Sequence, residues 1–451
     1  MIFETDSRKV KKGQVFVAIK GHTVDGHDYV LEAIKNGAEK IVAEKELNVD
    51  VPIEIVTSSE EYLKENLVKE YSDKLKDLTI IGVTGTNGKT TTCYLTYQLL
   101  KEKGVNVAYL GTIGFHFKDK IIELDNTTPD ILSLYNILLD AIKDGCTHLV
   151  MEISSHSLSY ERIKGLKLQI AAFTNLTEDH LDYHKTMEAY LEEKLKIINY
   201  LKDDGTLIVN SDDVSSTRFI SLFKNYKTLG LNGDYKIEHF EINPAKTTID
   251  FNYGNKSYQV TTNLTSKFNI YNYLTSLALM HALGYSIEDI IAVTPKIKAP
   301  KGRCETYEVN NGFAVVDYAH TPDAVEKVIE AYNQLKTARV ITIVGCGGDR
   351  DPIKRPIMGR IATEKSDYVI LTSDNPRTED PQKIMNDILQ GITNNNYEVE
   401  LDRKKAIHKG ISMLEKNDIL LILGKGHEDY QIIGRTKIHF DDAEEILNWK
   451  K

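Results

Sequence analysis

The chain has 451 residues, which is enough for about two to four domains with cores of their own. Hydrophobic residues make up 41% and charged residues 27% of it, as in an ordinary globular protein, and the formal net charge of −10 argues against a nucleic-acid binder, which needs a basic face. No apolar run is long enough for a membrane span, the N-terminus lacks an apolar signal core, and the four scattered cysteines predict reduced thiols in a cytoplasmic protein rather than disulfides or a zinc site.

The first stretch of the chain has the pattern of a small α/β domain. Residues 13–19 alternate like a strand, residues 29–36 are helical with Gly37 as a C-cap, and residues 39–43 predict a second strand. A charged helical linker is expected from about residue 58 to residue 76. We therefore place a first domain at residues 1–76.

The middle of the chain alternates apolar runs with helical patterns. Residues 78–83, 148–153 and 170–173 are apolar on both faces, which predicts buried parallel strands, and a helix is expected at residues 91–103, ended by Gly104. From residue 235 to residue 263 the pattern changes to alternating strands separated by turn residues, which indicates an antiparallel insertion or edge. These patterns predict a central domain with a mainly parallel sheet at residues 77–300.

The alternation of strands and helices stops at residues 299–302 and then begins again. Strands are expected at residues 313–316, 340–344, 368–371 and 419–423, with helices between them, which is the pattern of a Rossmann-like domain at residues 301–451. The predicted fold class is therefore α/β with three domains, and the chain contains no internal repeat or low-complexity tract.

A glycine-rich loop lies between the strand at residues 78–83 and the helix that follows it. Its residues are Gly85, Thr86, Asn87, Gly88, Lys89, Thr90 and Thr91. In such a loop the glycines let backbone N–H groups converge on phosphate oxygens, the lysine brings a charge to the terminal phosphates, and a hydroxyl can ligate Mg²⁺. The alternative is a glycine-rich turn that binds nothing, but the strand–helix context favours an ATP site.

Two further groups of charged residues follow strands of the middle section. Glu152 ends an apolar strand, where a carboxylate near a phosphate loop holds Mg²⁺ unless it lies at a sheet edge in solvent. Asp179 and His180 follow another strand and precede a helix that carries Lys194. The Asp179–His180 cluster is either a hydrogen-bonded loop or part of a metal or phosphate site, and Lys194 by itself predicts only a solvated helix lysine.

Four polar, charged loops follow the four predicted strands of the last domain. They occupy residues 317–323, 345–351, 373–377 and 424–428. An open α/β sheet binds its ligands beyond the carboxyl ends of its strands, so four such loops predict a ligand crevice there. Ordinary turn chemistry is the alternative.

These segments together resemble the Mur ligase family, over nearly the whole chain and in the same order. The resemblance is carried by Asp6–Arg8 with Gly21–Gly26, Gly85–Thr90, Asn126–Pro129, Glu152–His156, Asn175–His184, Phe268–Asn269, Gly302–Arg303, Asp317–Pro322 and Asp374–Arg377. The phosphate loop is shared by all Mur and folylpolyglutamate ligases, whereas the Asp-Tyr-Ala-His-Thr-Pro and Asp-Asn-Pro-Arg segments are far more specific.

The resemblance implies one binding role for each domain. The N-terminal domain would bind the uridine nucleotide, with Ser7 in contact with it, the central domain would bind ATP, and the C-terminal domain would bind the incoming amino acid. The muramoyl-peptide portion would be bound by Asn126, Thr127, Thr128, Ser154 and Arg162. The amino-acid pocket would be lined by Arg350, Asp374, Asn375, Pro376, Arg377, Gly424 and Glu428.

The resemblance also implies a nucleotide and metal site. ATP would be a co-substrate, contacted by the phosphate loop with Asn269, Arg303 and Asp317. Two Mg²⁺ ions would be held, one by Thr90 and Glu152 and the other by His180 with Lys194, whose amine would be carbamylated. The expected catalytic residues are thus Lys89, Glu152, His180 and Lys194.

The activity that the resemblance implies is an ATP-dependent amide-bond ligation in peptidoglycan precursor synthesis. It would add meso-diaminopimelate to UDP-N-acetylmuramoyl-L-alanyl-D-glutamate through an acyl-phosphate and release ADP and phosphate. The expected partners are these small molecules, with no nucleic acid and no membrane span, and we expect a monomer. The alternatives are a sister ligase with another acceptor, against which Asp374–Arg377 argues, and a P-loop kinase or nucleotide-sensing protein, which would not need four charged C-terminal loops.

Arg377 favours meso-diaminopimelate over L-lysine as the added amino acid. The two differ by one carboxylate beside the distal amine, and a planar guanidinium suits that carboxylate. Asp374 and Glu428 are the expected acceptors for the distal ammonium. The alternative is that Arg377 pairs with Glu379 or Asp380 on the surface and that L-lysine is the substrate.

Overall fold

The computed structural model describes residues 2–21 and 24–449, apart from the side chain of Asp182. His22 and Thr23, which belong to the Gly21–Gly26 segment of the resemblance, lie outside the described residues. Within the described ranges, three large sheets follow one another along the chain, and a two-stranded hairpin is added near the end.

The first sheet has four parallel strands in the order β1-β2-β3-β4. Its strands and the two helices of this part are β1 (Phe3–Glu4), β2 (Gln14–Val17), β3 (Ala38–Ala43), β4 (Ile53–Ile55), α1 (Val30–Lys35) and α2 (Ser59–Leu75), with 3-10 turns at Ser7–Lys9 and Gly26–Tyr29. α2 begins after Ser58, whose hydroxyl accepts a hydrogen bond from the Glu61 amide (3.2 Å).

The helix expected between the first two domains is present, and it is a packed element. α2 buries Leu63, Leu67 and Tyr71 in a core that Phe3 and Val17 of the first sheet share with residues of the central sheet. Apolar residues spaced three and four apart on one face of α2 therefore join the first sheet to the rest of the protein.

The central sheet has eleven strands in the order β15-β14-β13-β12-β11-β10-β5-β9-β6-β7-β8. The strands are β5 (Thr79–Thr84), β6 (Val107–Gly111), β7 (Gly114–Phe117), β8 (Lys120–Ile122), β9 (His148–Glu152), β10 (Leu168–Phe173), β11 (Leu201–Asn210), β12 (Tyr226–Gly230), β13 (Tyr235–Ile242), β14 (Thr247–Tyr253) and β15 (Lys256–Thr262). The strands from β13 to β6 in this order run parallel, and antiparallel pairs occur at both edges. The antiparallel edge predicted for residues 235–263 is therefore confirmed.

Helices cover both faces of the central sheet, so its middle strands are apolar on both faces. The helices of this part are α3 (Lys89–Glu102), α4 (Ile131–Lys143), α5 (Ser155–Ser159), α6 (Leu181–His184), α7 (Met187–Leu195), α8 (Ser216–Leu222), α9 (Lys267–Ala282) and α10 (Ile287–Val293), with 3-10 turns at Lys196–Tyr200 and Thr294–Lys296. Because β5, β6, β9 and β10 are parallel, the loops after them meet at one edge of the sheet.

The last sheet has six strands in the order β16-β17-β21-β18-β19-β20, all parallel except β16. The elements are β16 (Glu305–Val309), β17 (Gly312–Asp317), β18 (Val340–Val344), β19 (Tyr368–Leu371), β20 (Tyr397–Val399), β21 (Ile419–Leu423), β22 (Tyr430–Ile433), β23 (Thr436–His439), α11 (Pro322–Asn333), α12 (Lys354–Lys365), α13 (Pro381–Leu389), α14 (Arg403–Ser412) and α15 (Asp442–Leu447). The four charged loops all follow parallel strands of this sheet, as predicted.

The predicted α/β class with three parts is confirmed, while the borders after residues 76 and 300 remain predictions. The first sheet ends at Ile55, the central sheet runs from Thr79 to Thr262, and the last sheet begins at Glu305. Among the described residues, no helix combines the length and the apolar character that crossing a membrane requires.

Candidate active site

The glycine-rich loop joins β5 to α3 in the middle of the central sheet. Gly85 and Gly88 have φ angles of 146° and 85°, which side chains rarely adopt. A Cβ at Gly85 would lie 1.9 Å from the Thr174 hydroxyl, and one at Gly88 would lie 2.3 Å from Asn272 Oδ1. Gly88 is the N-cap of α3, so the loop passes directly into a helix N-terminus, where phosphate binding is favourable.

Residues after the neighbouring strand β10 hold this loop in shape. The Thr86 amide donates to the Asn175 carbonyl (2.8 Å), and the Asn87 amide donates to Asn175 Oδ1 (2.9 Å). The Thr174 hydroxyl donates to the Asn87 carbonyl (2.6 Å). Three consecutive contacts across two strands therefore fix the loop backbone before any ligand is bound.

The lysine and threonines of the loop lie in the first turn of α3. Lys89 Nζ donates to the Gly85 and Thr86 carbonyls, at 2.8 Å each. Burial lowers the pKa of Lys89, an effect that Glu152 opposes. Thr90 and Thr91 are both buried at the same turn.

Glu152, at the end of β9, is the best-connected carboxylate of the central sheet edge. Its side chain accepts hydrogen bonds from the Thr90 hydroxyl (2.9 Å), the Tyr109 hydroxyl (2.5 Å) and the Thr112 amide (2.8 Å). Glu152 is only 1% exposed, because β9 lies between β5 and β6. The alternative of an edge-strand glutamate in solvent is therefore wrong.

Lys194, on α7, lies beside the phosphate loop. It is 1% exposed, its Nζ donates to the Gly85 carbonyl (2.9 Å), and the same atom lies 4.2 Å from the centroid of the Tyr190 ring. Burial, together with the positive charge of Lys89, lowers the pKa of Lys194 well below its usual range. The interpretation of Lys194 as a solvated helix lysine is therefore wrong.

His180 lies at the rim of this cluster rather than inside it. Its side chain is 48% exposed, and its Nε2 lies 3.4 Å from Asp179 Oδ2. Its ring packs edge-on against the ring of His156, with 5.0 Å between centroids. The negative charge of Asp179 opposes the lowering of the pKa of Lys89 and of Lys194 by burial.

Most of the residues predicted for the muramoyl-peptide portion lie next to Glu152. Thr128 donates through its hydroxyl to the Glu152 carbonyl (2.8 Å), and its own carbonyl accepts from Arg162 Nη1 (2.7 Å). The hydroxyl of Thr127 is 3.1 Å from that of Thr112, which itself contacts Glu152.

The remaining residues of that group are separated from Glu152 to different degrees. Ser154 caps α5, where its hydroxyl accepts from the Ser157 amide (3.1 Å), and Asn126 is exposed. Ser7 lies in the first part of the chain, where its hydroxyl donates to Glu32 Oε2 (2.5 Å). The structure thus brings the peptide residues together and keeps Ser7 apart from them.

Asn269 is connected to the phosphate loop through the side-chain amide of Asn272. Its Oδ1 accepts from Asn272 Nδ2 (2.9 Å), and Asn272 Oδ1 faces Gly88. Arg303 approaches from the C-terminal part, since its charge contributes to the lowered pKa of Lys89.

Two residues of the last sheet complete the predicted nucleotide group. Arg303 lies over the Tyr318 ring (4.8 Å from Cζ to centroid), and its buried Nε has no hydrogen-bond partner among the described residues. Asp317 is 8% exposed and accepts from the Cys304 amide (2.8 Å) and the Ala319 amide (2.9 Å). Its carboxylate therefore shapes the loop that carries Tyr318.

The residues predicted for the amino-acid pocket meet between β19 and β21. Asp374 is buried, and its Oδ1 accepts from the Asn375 amide (2.6 Å). Asn375 Nδ2 donates to Glu428 Oε2 (2.8 Å). A Cβ at Gly424 would lie 2.7 Å from Asp374 Oδ2, so a glycine is needed where the two loops meet.

The Arg377 side chain has no carboxylate partner among the described residues. Its Nη1 donates to the Gly348 carbonyl (2.7 Å), and it is half-buried after Pro376, which is buried. Glu379 instead pairs with Arg355 (2.7 Å), which is the main reason that the pKa of Glu379 falls to about 2. Asp380 caps α13. The alternative that Arg377 pairs with Glu379 or Asp380 is therefore wrong, and its guanidinium is available to a ligand.

Arg350 and the pocket are linked to the nucleotide residues through one tyrosine. Burial raises the pKa of Tyr318. The negative charges of Glu428 and Asp374 raise that pKa further, and the positive charges of Arg303 and Arg350 lower it. Arg350 itself is exposed.

Comparison with known families covers the same three parts of the chain. The family models that match are "Mur ligase family, catalytic domain" at residues 2–77, "Mur ligase middle domain" at residues 83–280, and "Mur ligase, glutamate ligase domain" at residues 302–426. The chain belongs to the Mur ligase family. As a member of it, the protein is an ATP-dependent ligase.

Relatives of this Mur ligase align with nearly its whole length. It is 41% identical over 451 residues to a protein of Bacillus cereus and 43% identical over 458 residues to one of Fusobacterium nucleatum, both named UDP-N-acetylmuramoyl-L-alanyl-D-glutamate–2,6-diaminopimelate ligase. Each alignment covers 98% of this chain and 92% of the relative.

Solved structures of other ligases share its fold. A structure with the same ligase name is 34% identical and has a TM-score of 0.71. The match covers 99% of this chain and 93% of that one. A MurF ligase from Thermotoga maritima in complex with ADP is 24% identical with a TM-score of 0.67, and the match covers 99% of this chain and 96% of that one.

Several residues of this Mur ligase site were not found from the sequence. Tyr109 and Thr112 bind Glu152, and both follow from β6 lying beside β9. Lys425, in the charged loop at residues 424–428, has 0% exposure, and its Nζ lies 3.2 Å from Oδ1 of Asn375, one of the residues predicted for the amino-acid pocket. Tyr109 and Thr112 could be found only from the order of the strands in the central sheet, in which β6 lies beside β9.

Proposed function

We propose that this Mur ligase adds meso-diaminopimelate to UDP-N-acetylmuramoyl-L-alanyl-D-glutamate and releases ADP and phosphate. Its relatives from Bacillus cereus and Fusobacterium nucleatum, at 41% and 43% identity over nearly the full length, carry that acceptor and that amino acid in their names. The observation that carries the assignment to this chain is Arg377, which follows Asp374 and Asn375 in the loop after β19 and whose guanidinium has no carboxylate partner among the described residues. A guanidinium without a carboxylate partner in the protein favours binding of a substrate that contains an additional carboxylate.

The chemistry follows from a carboxylate being a poor electrophile. The terminal carboxylate of the acceptor attacks the γ-phosphate of ATP and forms an acyl-phosphate with release of ADP. The amine of the amino acid then attacks the acyl carbon and expels phosphate. This phosphoryl transfer needs mainly positioning and neutralisation of negative charge, which the positive charges of Lys89 and Arg303 supply.

The phosphate-loop residues and Glu152 fit Mg²⁺. The donors are the hydroxyl oxygen of Thr90 and the carboxylate oxygens of Glu152, which are hard ligands of the kind that this cation prefers. No group of three or more His, Cys, Asp or Glu side chains in the described part of the chain could hold a metal, which agrees with a cation bound mainly by phosphates and water. Bound there, Mg²⁺ would neutralise phosphate charge.

A second cation is assigned to the side of the cluster that contains Lys194 and His180. The amine of Lys194 is buried against the Tyr190 ring with a lowered pKa, and a neutral amine is the form that reacts with CO₂. As a carbamate, Lys194 would carry a negative charge toward the phosphate loop. His180 is an exposed histidine beside Asp179, at the rim of the same cluster.

The remaining residues are assigned by domain. We place the uridine nucleotide at residues 1–76 with Ser7, ATP at residues 77–300 with Asn269 and the phosphate loop, and the amino acid at residues 301–451. The muramoyl-peptide portion is assigned to Asn126, Thr127, Thr128, Ser154 and Arg162, beside Glu152. We further propose that the protein acts as a monomer in the cytoplasm on small-molecule substrates alone.

One assay tests the reaction and its specificity together. Phosphate release is measured with ATP, the UDP-muramoyl-dipeptide acceptor, and either meso-diaminopimelate or L-lysine. Release is expected only when acceptor and amino acid are both present, with meso-diaminopimelate preferred. Release without an amino acid would indicate a kinase or sensor, and a higher kcat/KM for L-lysine would show that the added amino acid is assigned wrongly.

A further inference from the structure

A buried lysine without a role in the reaction lies in the loop after β21. Lys425 has 0% exposure, and it lies between Gly424 and Glu428, which are both assigned to the proposed amino-acid pocket. Its Nζ lies 3.2 Å from Asn375 Oδ1, 3.3 Å from Glu428 Oε2 and 5.5 Å from the centroid of the Tyr430 ring. Removing an ammonium from water is costly, so a fully buried lysine with these partners indicates a specific task.

The contacts of Lys425 fix one oxygen of the Glu428 carboxylate and leave the other free. Oε2 accepts from Asn375 Nδ2 (2.8 Å) as well as from Lys425 Nζ. Oε1 has no hydrogen bond among the described residues. Asn375 is held in turn, since its Oδ1 accepts from the Ile432 amide (2.9 Å) and from Lys425. The result is a carboxylate that is held through Oε2 and whose Oε1 is left to accept a hydrogen bond from a ligand.

Lys425 also sets the charge of the pocket. The side chains assigned to it are two negative ones, Asp374 and Glu428, and two positive ones, Arg350 and Arg377. Lys425 adds a third positive charge that water cannot screen, because it is buried. The pocket therefore carries one net positive charge with Lys425 and none without it.

This charge matches one class of amino acid. An amino acid can attack the acyl-phosphate only with its α-amine neutral. In that state a diamino dicarboxylic acid has two carboxylates and one ammonium and is negative overall, whereas lysine has one of each and is neutral. A pocket with one net positive charge favours the first over the second.

We propose that Lys425 is a positioning residue that selects a diamino dicarboxylic acid, by holding Glu428 in its acceptor orientation and by making the pocket positive. This inference rests on the proposed function. Lys425 acts through Glu428 and Asn375 and does not touch the substrate itself.

The test is the kinetics of Lys425→Met, which keeps the length of the side chain and removes the charge. With ATP and acceptor saturating, KM for meso-diaminopimelate should rise about thirtyfold, while kcat and the KM values for ATP and acceptor change less than about threefold. Lys425→Arg keeps the charge and should recover part of the loss. Lys437→Met is the matched control, because Lys437 lies over the same Tyr430 ring (3.9 Å) but is exposed and has no bond to Glu428.

A double variant separates positioning from a general effect on folding. In a Glu428→Gln background, Lys425→Met should raise KM for meso-diaminopimelate much less than in the wild type, because the two act as one unit. The proposal would be overturned if Lys425→Met raised KM for meso-diaminopimelate equally in both backgrounds. It would also be overturned if the KM values for ATP, acceptor and amino acid all rose together. If the wild type does not use meso-diaminopimelate, the proposed function fails; if it does and Lys425→Met keeps the wild-type KM, only this inference fails.

Discussion

The carboxyl edges of the central and C-terminal sheets both carry charged side chains, but the two edges hold them differently. At the central edge, Glu152 and Lys194 are each 1% exposed and fully engaged with other groups of the protein. At the C-terminal edge, Arg350 is exposed, Arg377 has one hydrogen bond to a backbone carbonyl, and Glu428 keeps one oxygen free. The charged groups of the central edge are thus held by contacts within the protein, while those of the C-terminal edge keep unused hydrogen-bonding atoms among the described residues.

The difference has a physical reason. Charges that act on a transferring phosphoryl group are most effective when they are fixed in place and removed from water. Charges that select a substrate must stay available, because discrimination comes from leaving them unpaired when the wrong ligand binds. The variants below test each side of this contrast, beginning with the largest expected effect.

Lys194→Ala tests a buried positive charge of the central edge. Without the amine no carbamate can form beside Gly85, and kcat should fall by about a thousandfold or more. Short carboxylates such as acetate should restore part of the activity by entering the space left behind. Lys196→Ala is the control, because Lys196 is 48% exposed, pairs with Glu193, and should be replaceable without loss. Full activity of Lys194→Ala would remove Lys194 from the mechanism.

Arg377→Ala tests the open guanidinium of the C-terminal edge. If Arg377 pairs with the distal carboxylate, the variant should lower the preference for meso-diaminopimelate over L-lysine by about thirty- to a thousandfold, which corresponds to about 2–4 kcal/mol. The ratio of the two kcat/KM values is the measurement. Arg435→Ala, at an exposed arginine in the turn between β22 and β23, should leave the ratio unchanged. An unchanged ratio in Arg377→Ala would mean that other residues select the amino acid.

Tyr109→Phe tests whether the central edge depends on the groups that orient Glu152. The lost hydroxyl donates to Glu152 Oε1 at 2.5 Å. A freer carboxylate should raise the Mg²⁺ concentration needed for half-maximal activity by about tenfold, with a smaller effect on saturated kcat. Tyr97→Phe is the matched control, since its ring lies 6.2 Å from that of Tyr109 and it is not bonded to Glu152. The same Mg²⁺ dependence in both variants would contradict a role for the Tyr109 hydroxyl.

His427→Gln tests a half-buried imidazole at the otherwise charged C-terminal edge. Burial, with the charges of Arg303 and Lys301 nearby, lowers the pKa of His427 from 6.5 to about 4. Between these values the unfolded chain binds a proton that the folded chain does not, so stability falls as the pH is lowered from 6.5 toward 4. From about pH 7 to about pH 4.5, the Tm of the variant should fall about 3 °C less than that of the wild type. His239→Gln, at a side chain that is 66% exposed, should follow the wild type.

Local patterns were enough to find the strands and the phosphate loop. Runs that are apolar on both faces predicted β5, β9 and β10 within about two residues at each end, because a central parallel strand must be buried on both faces. Gly85–Thr91 was recognisable because strand, loop and helix are consecutive in the chain. The family and the α/β class were predicted from such segments and are confirmed.

The sequence by itself determined which chemical groups the protein has; the tertiary structure decided which of them are buried and which remain open. Lys194 contacts the Gly85 carbonyl across 109 residues of chain, and Glu152 is buried only because β9 lies between β5 and β6. Lys425 is likewise buried by Asn375, 50 residues earlier. Helical or strand periodicity reports the face on which a residue lies, but burial depends on what packs against that face from distant parts of the chain. For that reason the same residue type, lysine, could be assigned to solvent at position 194 and overlooked at position 425 until the sheets were assembled.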